Sequence, residues 1–522
     1  MKNNKIKNIK FSHILTLVCL LCSSASLSSC NKWLDIKPED SVPAEDLFAR
    51  GDGFRNALNG LYLNLANDEL YGKELTWGFV SAISQQYHIQ SSAAPYYDAA
   101  LLEYQTASPK KTINNIWEKG YQVIANSNKL LAAIELAAPG IFIYGADERD
   151  LIQGEALAIR AMVHLDLFRL FAPAVRTAAA EKAIPYRKTY SPLSEAPISG
   201  SDFMAEVIAD LLKARELVRK NDLETHIDGM MATGAAMPTP FMNARVRFGN
   251  LNRIGEEGIF FSNRGSRMNY LAITGLLSRA YLYMNDYSNA SQYAKELYDV
   301  FYKEKAWVGF TPSNNINPSY NPDGNYGVKK YFDDILLGLY KKNLIESYQF
   351  TEVQRPLAYL DDLFRKDTQA PYTDWRYSFS VQKTNDVNPL YYTTKYNDMS
   401  AANKSSMPDE SKLLPIIRLS EIFHCLAEAA HQQGDNAKAI DYLTQLRIAR
   451  GALRSIRVAE LSHAEVLEEI LSDYKKEFIA EGELFYLYKR LQILEVKSAT
   501  AGRSINLATK FVLPIPESEL VN

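Results

Sequence analysis

The sequence predicts an all-α fold, mainly helical, in which helical hairpins form a platform and a loop-rich irregular lobe with a few short strands interrupts them. Three observations carry this prediction. Apolar residues recur at helical spacing through much of the chain. Two segments look like copies of one helical hairpin, and the stretch between them, about residues 303–415, turns to clusters of Pro, Gly, Asn and Tyr.

The chain opens with Lys2, Lys5, Lys7 and Lys10, no acidic residue, and then an apolar stretch from Phe11 to Leu21. That stretch is too short for a transmembrane helix of ~20 apolar residues. Residues 1–29 therefore read as a signal peptide. Its end, Leu27-Ser28-Ser29-Cys30, resembles the lipobox of bacterial lipoproteins, in which the cysteine is diacylated and becomes the new N-terminus. Several acyl chains, at ~0.8 kcal/mol per buried CH₂, hold such a chain on its membrane. Residues 30–43, with Pro38 and Pro43 among charges, read as an extended tether, and 44–522 as the body.

Within the body, Gly51-Asp52-Gly53 reads as a helix start, because it lacks the third glycine of a dinucleotide loop and follows no strand. From Gly154 to Phe171, Leu157, Ala161, Leu165 and Phe168 share a helical face, and Pro173 ends it. Val207, Leu211, Ala214 and Val218 do the same in Phe203 to Val218. In the first hairpin copy, Ile273, Leu277, Ala280 and Met284 precede the turn Asn285-Asp286, and Ala290, Ala294, Leu297 and Phe301 follow it. In the second, Ile422, Leu426 and Ala429 precede Gln433-Gly434-Asp435, with Ala439, Leu443 and Leu446 beyond. Tyr287-x-x-Ala290 and Asn436-x-x-Ala439 stand where tetratricopeptide repeats place a turn residue and a small one, a pattern that other helical bundles share. Short strands are expected near Tyr377 to Val381 and Tyr391 to Tyr396.

Loss of residues 1–29 removes four lysines and takes the formal net charge from −3 to −7. A mildly acidic body offers no electrostatic footprint for nucleic acid. Cys19 and Cys22 leave with the signal, so Cys30 and Cys425 cannot build a disulfide framework or a cysteine metal site. Cys425 reads as a small buried hydrophobe.

No catalytic or metal motif emerges. His-Glu-x-x-His and Gly-x-Ser-x-Gly are absent, and His424 and His431 read as solvated or capped. The acidic pairs Asp333-Asp334 and Asp361-Asp362 are too common a pattern to mark a glycosidase dyad. The chain is thus expected to be no enzyme and to need no cofactor. Aromatic residues carry more information. Tyr71, Trp77, Tyr87, Tyr96, Tyr97, Trp307, Tyr320 and Tyr326 fall in loop-like stretches, where an exposed ring offers an apolar face with a polar tip to a sugar or a peptide. Ligand recognition is placed in the 303–415 insertion and in the loop after the first helix.

The ordered motifs resemble the SusD/RagB family of outer-membrane nutrient-binding lipoproteins. They begin with the lipobox and Trp33-Leu34-Asp35-Ile36-Lys37-Pro38, and continue with Gly154-Glu155-Ala156-Leu157-Ala158-Ile159-Arg160-Ala161 and Asp374-Trp375-Arg376. Ile416-Ile417-Arg418-Leu419-Ser420-Glu421 with Ala427-Glu428-Ala429, then Glu477-Phe478-Ile479-Ala480-Glu481-Gly482-Glu483, and Leu513-Pro514-Ile515-Pro516-Glu517-Ser518-Glu519-Leu520 complete the series. The departure is Leu484-Phe485-Tyr486-Leu487-Tyr488-Lys489-Arg490, where family members often carry Arg and Asp-Leu. The resemblance implies four tetratricopeptide-like units packed on an irregular lobe, lipid-anchored in the outer membrane and exposed at the cell surface. It implies a SusC-like TonB-dependent transporter as partner and an oligosaccharide, or in some members a peptide, as cargo. A surface hydrolase, or a structural partner of the transporter whose loop aromatics are buried, are the competing readings.

Overall fold

The computed structural model describes residues 44–191, 193, 195–225, 227, 230, 260, 264–311, 331–348, 355–356, 360, 362–364, 374–384, 387, 390–396, 412–452 and 461–520. The lipobox, Cys30 and the tether lie outside these. Residues Arg50–Asn522 form one compact unit; Met1–Ala49 are another, whose described part includes the helical turn Ala44–Leu47.

The helical body starts at α1 (Gly51–Leu65), followed by α2 (Ala107–Leu136), α3 (Gly145–Phe171) and α4 (Gly200–Lys220). Helix α3 packs against both α2 and α4, and from Leu151 onward nearly every side chain on it is buried. Gly154 makes the close approach possible, since a Cβ there would stand 2.7 Å from Val218 Cγ1 and 3.0 Å from Ala214 O. The proline-driven stop after Phe171 is present, with Ala172 extended at the C-cap.

Two hairpins of matching construction follow, α5 (Tyr270–Tyr283) with α6 (Tyr287–Lys295), and α8 (Leu419–Gln432) with α9 (Asn436–Ala449). Each turn passes through one left-handed residue, Asn285 at φ +61° and Gly434 at φ +86°. Each second helix is then capped by an aspartate: Asp286 accepts from Asn289 N–H and Asp435 from Lys438 N–H. Such caps stabilise a helix by ~1 kcal/mol each. The small residues Ala290, Ala294 and Ala439 are fully buried where the helices meet. Beyond Lys295 the helix widens into a π-helical stretch, Glu296–Glu304, which still buries Leu297 and Phe301.

The lobe between the hairpins hangs on a two-stranded stem. Strand β1 (Ile335–Tyr340) pairs antiparallel with β5 (Leu413–Arg418), from Ile335 opposite Arg418 to Tyr340 opposite Leu413. Within the lobe, β2 (Arg355–Pro356), β3 (Val381–Lys383) and β4 (Leu390–Thr393) form a sheet of order β2-β4-β3. One strand expectation is corrected here. Trp375–Ser380 is a short helix, α7, started by Asp374, whose carboxylate accepts from Arg376 N–H, and strand geometry begins only at Val381. Helices α10 (His463–Glu477) and α11 (Leu484–Leu491) and a hairpin of β6 (Glu495–Ser498) and β7 (Arg503–Asn506) complete the chain.

The junction of lobe and platform is polar. Arg376 from α7, Arg418 from β5, Arg447 from α9 and Arg450 at the C-cap of α9 converge on Asp334, Asp473 and Glu477, all of them buried. Glu477 accepts from Arg418 Nη1 at 2.5 Å and Arg450 Nη2 at 2.8 Å; Asp473 accepts from Arg376 Nη1 at 3.0 Å and Arg447 Nε at 2.8 Å. Lys395 reaches the same knot, donating to Glu477 O and to the Glu481 carboxylate. Burial alone would raise both central carboxyls, but the surrounding guanidiniums outweigh it and hold Asp473 and Glu477 well below the usual carboxylate range. Asp334 shows the opposite balance. Burial raises it above its ordinary value despite Arg450 and Arg418, and its Oδ1 has no hydrogen-bond partner among the described residues.

Candidate functional site

The sequence-selected aromatics divide on exposure. The segment after α1 folds into consecutive turns that draw its rings inward. Tyr71 is buried and its hydroxyl donates to Asp166 Oδ2 at 2.5 Å. Trp77 is 0% exposed and meets Tyr348 edge-on, with centroids 5.2 Å apart. The Tyr87 hydroxyl donates to Trp77 O at 2.5 Å, and the Tyr96 hydroxyl to Glu74 Oε1 at 3.0 Å. Lys73 Nζ stands 5.1 Å from the Trp77 ring centroid and 5.4 Å from that of Tyr96. The segment is pinned from behind by Gly482, at φ +81°, where a Cβ would lie 2.1 Å from Leu75 O.

Trp307 is also buried, against Phe301 at 5.3 Å. The expectation of an exposed aromatic face is therefore corrected for Tyr71, Trp77, Tyr87, Tyr96 and Trp307, whose rings are packed into the core. Tyr97 is half-buried at the start of a helical turn. Tyr320 and Tyr326 lie outside the described residues.

The structure gathers a different set where the chain enters the insertion. Tyr298 and Tyr302, four apart on the π-helical stretch, present rings 5.8 Å apart at 37°. Phe310 from the following loop packs on Tyr302 at 5.7 Å. Buried Phe423 of α8 lies under all three, and Tyr442 of α9 abuts Tyr298 edge-on at 5.3 Å. Tyr298, Tyr302 and Phe310 remain partly exposed, so they form a ledge with apolar faces and hydroxyl tips. Lys303 Nζ lies 5.2 Å and 5.3 Å from the two tyrosine centroids, and the Tyr298 hydroxyl donates to Gln445 Oε1 at 2.9 Å. Ala306, at φ +50°, is held in the left-handed region beside the ledge. A π-helical segment and a strained loop residue are both common companions of functional sites.

Other candidates are internal. His424 is buried, with Nδ1 2.8 Å from Ser420 O and Nε2 3.2 Å from Asp473 Oδ1. His431 is buried and stacked on His463 at 3.8 Å, with Nδ1 3.0 Å from Asn436 Oδ1. Neither is solvated, which corrects that part of the expectation. Cys425 is buried 2.9 Å from Ser278 Oγ, and burial pushes its thiol up to about 12. Of the acidic pairs, Asp334 belongs to the arginine knot and Asp362 is exposed near Lys497. No group of three or more His, Cys, Asp or Glu suited to a metal ion occurs among the described residues, and no described helix is long and apolar enough to cross a membrane.

Comparison with known proteins covers most of the chain. Residues 32–236 match a family model described as starch-binding associating with outer membrane, and residues 277–520 match the model of the SusD family. SusD-like protein P38 of Formosa agariphila is 22% identical over 520 residues, covering 91% of this chain and 90% of that one. SusD-like protein P2 of the same organism is 19% identical, covering 99% and 98%. Among solved structures, a SusD superfamily protein from Bacteroides thetaiotaomicron superposes with a TM-score of 0.64 at 22% identity, covering 91% of this chain and 98% of that one. A putative sugar binding protein from Bacteroides vulgatus gives 0.64 at 20% identity, covering 90% and 96%.

Proposed function

Because this chain belongs to the SusD/RagB family, we propose that it is a cell-surface carbohydrate-binding protein that takes up oligosaccharides on the ledge of Tyr298, Tyr302 and Phe310. The observation that carries the reading is the partial exposure of three clustered rings at the entrance to the loop-rich lobe. A sugar ring presents C–H faces that suit an aromatic surface and hydroxyls that suit its polar tips. Lys303 and Gln445 supply polar groups beside the rings. The sugar-binding names of similar structures and the starch-binding description of the matched family agree with this assignment.

In this reading the body is tethered to the outer membrane by lipid on Cys30 and passes its ligand to a SusC-like TonB-dependent transporter. Its work is capture and delivery, with no covalent step. Isothermal titration against a panel of oligosaccharides, with Tyr298→Ala and Tyr302→Ala beside the parent, tests the ligand claim. Binding that both substitutions weaken supports it; binding to peptides and to no glycan overturns it. Radiolabelled palmitate incorporation, lost in Cys30→Ala, tests the anchor.

A further inference from the structure

The loop that joins α2 to α3 turns apolar side chains outward. Leu136 is 90% exposed, Ile141 37% and Ile143 74%. No other stretch of eight residues among those described exposes three large hydrophobic side chains. Single exposed apolar residues are ordinary on a protein surface, but a cluster of them marks a contact. From Leu136 to Ala146 the chain carries no charged side chain, and Tyr144 is its only polar one.

The loop is held in this state from inside. Pro139–Ile141 form a single 3₁₀ turn, and Phe142 packs inward on Phe54 of α1, with ring centroids 5.2 Å apart. The backbone N–H of Tyr144 donates to Glu148 Oε2 at 3.1 Å, and Glu148 is paired with Arg55 of α1. Ile141 and Ile143, on either side of the buried Phe142, stay outside.

Its place on the chain selects the occupant. Gly51, the first residue of α1, lies against the loop: a Cβ there would stand 2.6 Å from Ile141 O. The 21 residues from Cys30 to Gly51 span at most about 75 Å, so a body held by lipid on Cys30 keeps this loop within that distance of the bilayer. Contact with the membrane is then intramolecular, and a weak apolar contact suffices to populate it. A protein partner needs hydrogen bonds to fix its register, about one per 100–200 Å² of interface, and the side chains of this loop offer almost none. A lipid surface needs none.

We propose that the loop rests on the membrane surface, with Leu136, Ile141 and Ile143 among the lipid headgroups beside the point where the tether joins the body. The proposal rests on the reading of Cys30 as lipidated. Irregular backbone does not enter the hydrocarbon core with its polar groups unsatisfied, so the contact is shallow, about 5–10 Å deep at the headgroup level. It needs no anionic lipid, because residues 136–146 include no basic side chain. Anchor and loop make two points of support, and two points restrict which side of the body faces the bilayer where one would not.

Fluorescence of the lipidated protein in phosphatidylcholine vesicles tests the proposal. An environment-sensitive maleimide dye is placed at Ile143→Cys, and at Ile448→Cys as the reference, since Ile448 is also exposed, at 59%. Cys425 is buried with its thiol pushed up to about 12, and a lipidated Cys30 has no free thiol, so only the introduced cysteine reacts. Aqueous iodide is expected to quench the dye at Ile143→Cys several-fold less than that at Ile448→Cys, and nitroxide-bearing lipid to quench it more. Vesicle flotation separates the ways of failing. Protein that does not float overturns the lipid reading and this proposal with it; protein that floats with both dyes equally open to iodide overturns this proposal alone. Shielding that arises only when the transporter is added to the vesicles assigns the loop to a protein partner and overturns it too.

Discussion

Arg376 donates to Asp473 across 3.0 Å although the two stand 97 residues apart in sequence. Asp473 also accepts from Arg447, so one carboxylate holds α7 of the lobe to α9 of the platform. Removing it would leave two buried guanidiniums short of a partner, a loss of about 3–5 kcal/mol. Asp473→Ala is expected to lower the unfolding free energy by that amount, seen as a lower urea midpoint with little change in slope by circular dichroism. A loss below about 1 kcal/mol would mean that water reaches the knot and screens it.

The same knot sets the response to acid. Asp473 and Glu477 titrate lower in the folded chain than in the unfolded one, so the unfolded chain binds protons first as pH falls. Their stabilisation is fully present above the ordinary values of 3.8 and 4.5 and is lost progressively below them. Asp334 has the opposite sign, since its raised value costs stability as pH rises through it. Glu477→Gln should therefore cost more at pH 7 than Asp334→Asn. Urea titrations at pH 7, 5 and 3 should also show less acid destabilisation in Glu477→Gln than in the parent.

Lys489 gives a separate pH signature. It is fully buried, donates to Arg169 O at 2.7 Å, and is pushed well below its ordinary 10.5 by burial and by the nearby Arg169 charge. The unfolded chain then binds a proton that the folded chain does not, and stability rises with pH toward 10.5. In Lys489→Met that slope should flatten, so the variant gains on the parent at pH 7 relative to pH 10. Parallel slopes between pH 7 and pH 10 would show that the ammonium stays charged inside.

Trp77 and Tyr302 should separate stability from binding. Trp77→Ala empties a fully buried site and should cost about 3–5 kcal/mol of folding stability. Tyr302→Ala, on the ledge, should leave the melting temperature nearly unchanged and weaken oligosaccharide binding by about tenfold, equivalent to about 1.4 kcal/mol. Calorimetry and thermal melts on the two variants decide the matter; a Tyr302→Ala protein that binds as the parent does removes the ledge from the site.

The helical hairpins were legible because their evidence is local: a stripe of apolar residues, a turn, and an aspartate cap at Asp286 or Asp435. The partners of β1 and the arginine knot were not. Ile335–Tyr340 is a short apolar run that periodicity cannot tell from a buried helix, and its partner starts at Leu413. Arg376, Arg418 and Glu477 were visible as motif residues, but charged side chains are seldom wholly buried, and only the fold brings their motifs together. Exposure was the other missing quantity. Trp77 stands in a loop-like stretch yet is internal, while Tyr298 and Tyr302 flank the buried Leu297 and Phe301 stripe of a helical segment and are partly exposed. Their spacing of four on one helical side was the available signal.

The pairing of β1 with β5 brings the chain back, at Leu413, beside the point where it left at Tyr340. The chain between enters and leaves through this one pair of strands and is held again by Arg376 on Asp473 and Lys395 on Glu481; lengthening an exposed loop of it carries little entropic penalty, each doubling costing only about 0.6 kcal/mol. A cassette exchanged between those strands would leave the hairpins and their capped turns unchanged, but it would have to supply the partners that Arg376 and Lys395 give to Asp473 and Glu481. A graft that joins residue 340 to residue 413 in register should fold on this scaffold only where it also brings a cation to Asp473 and Glu481.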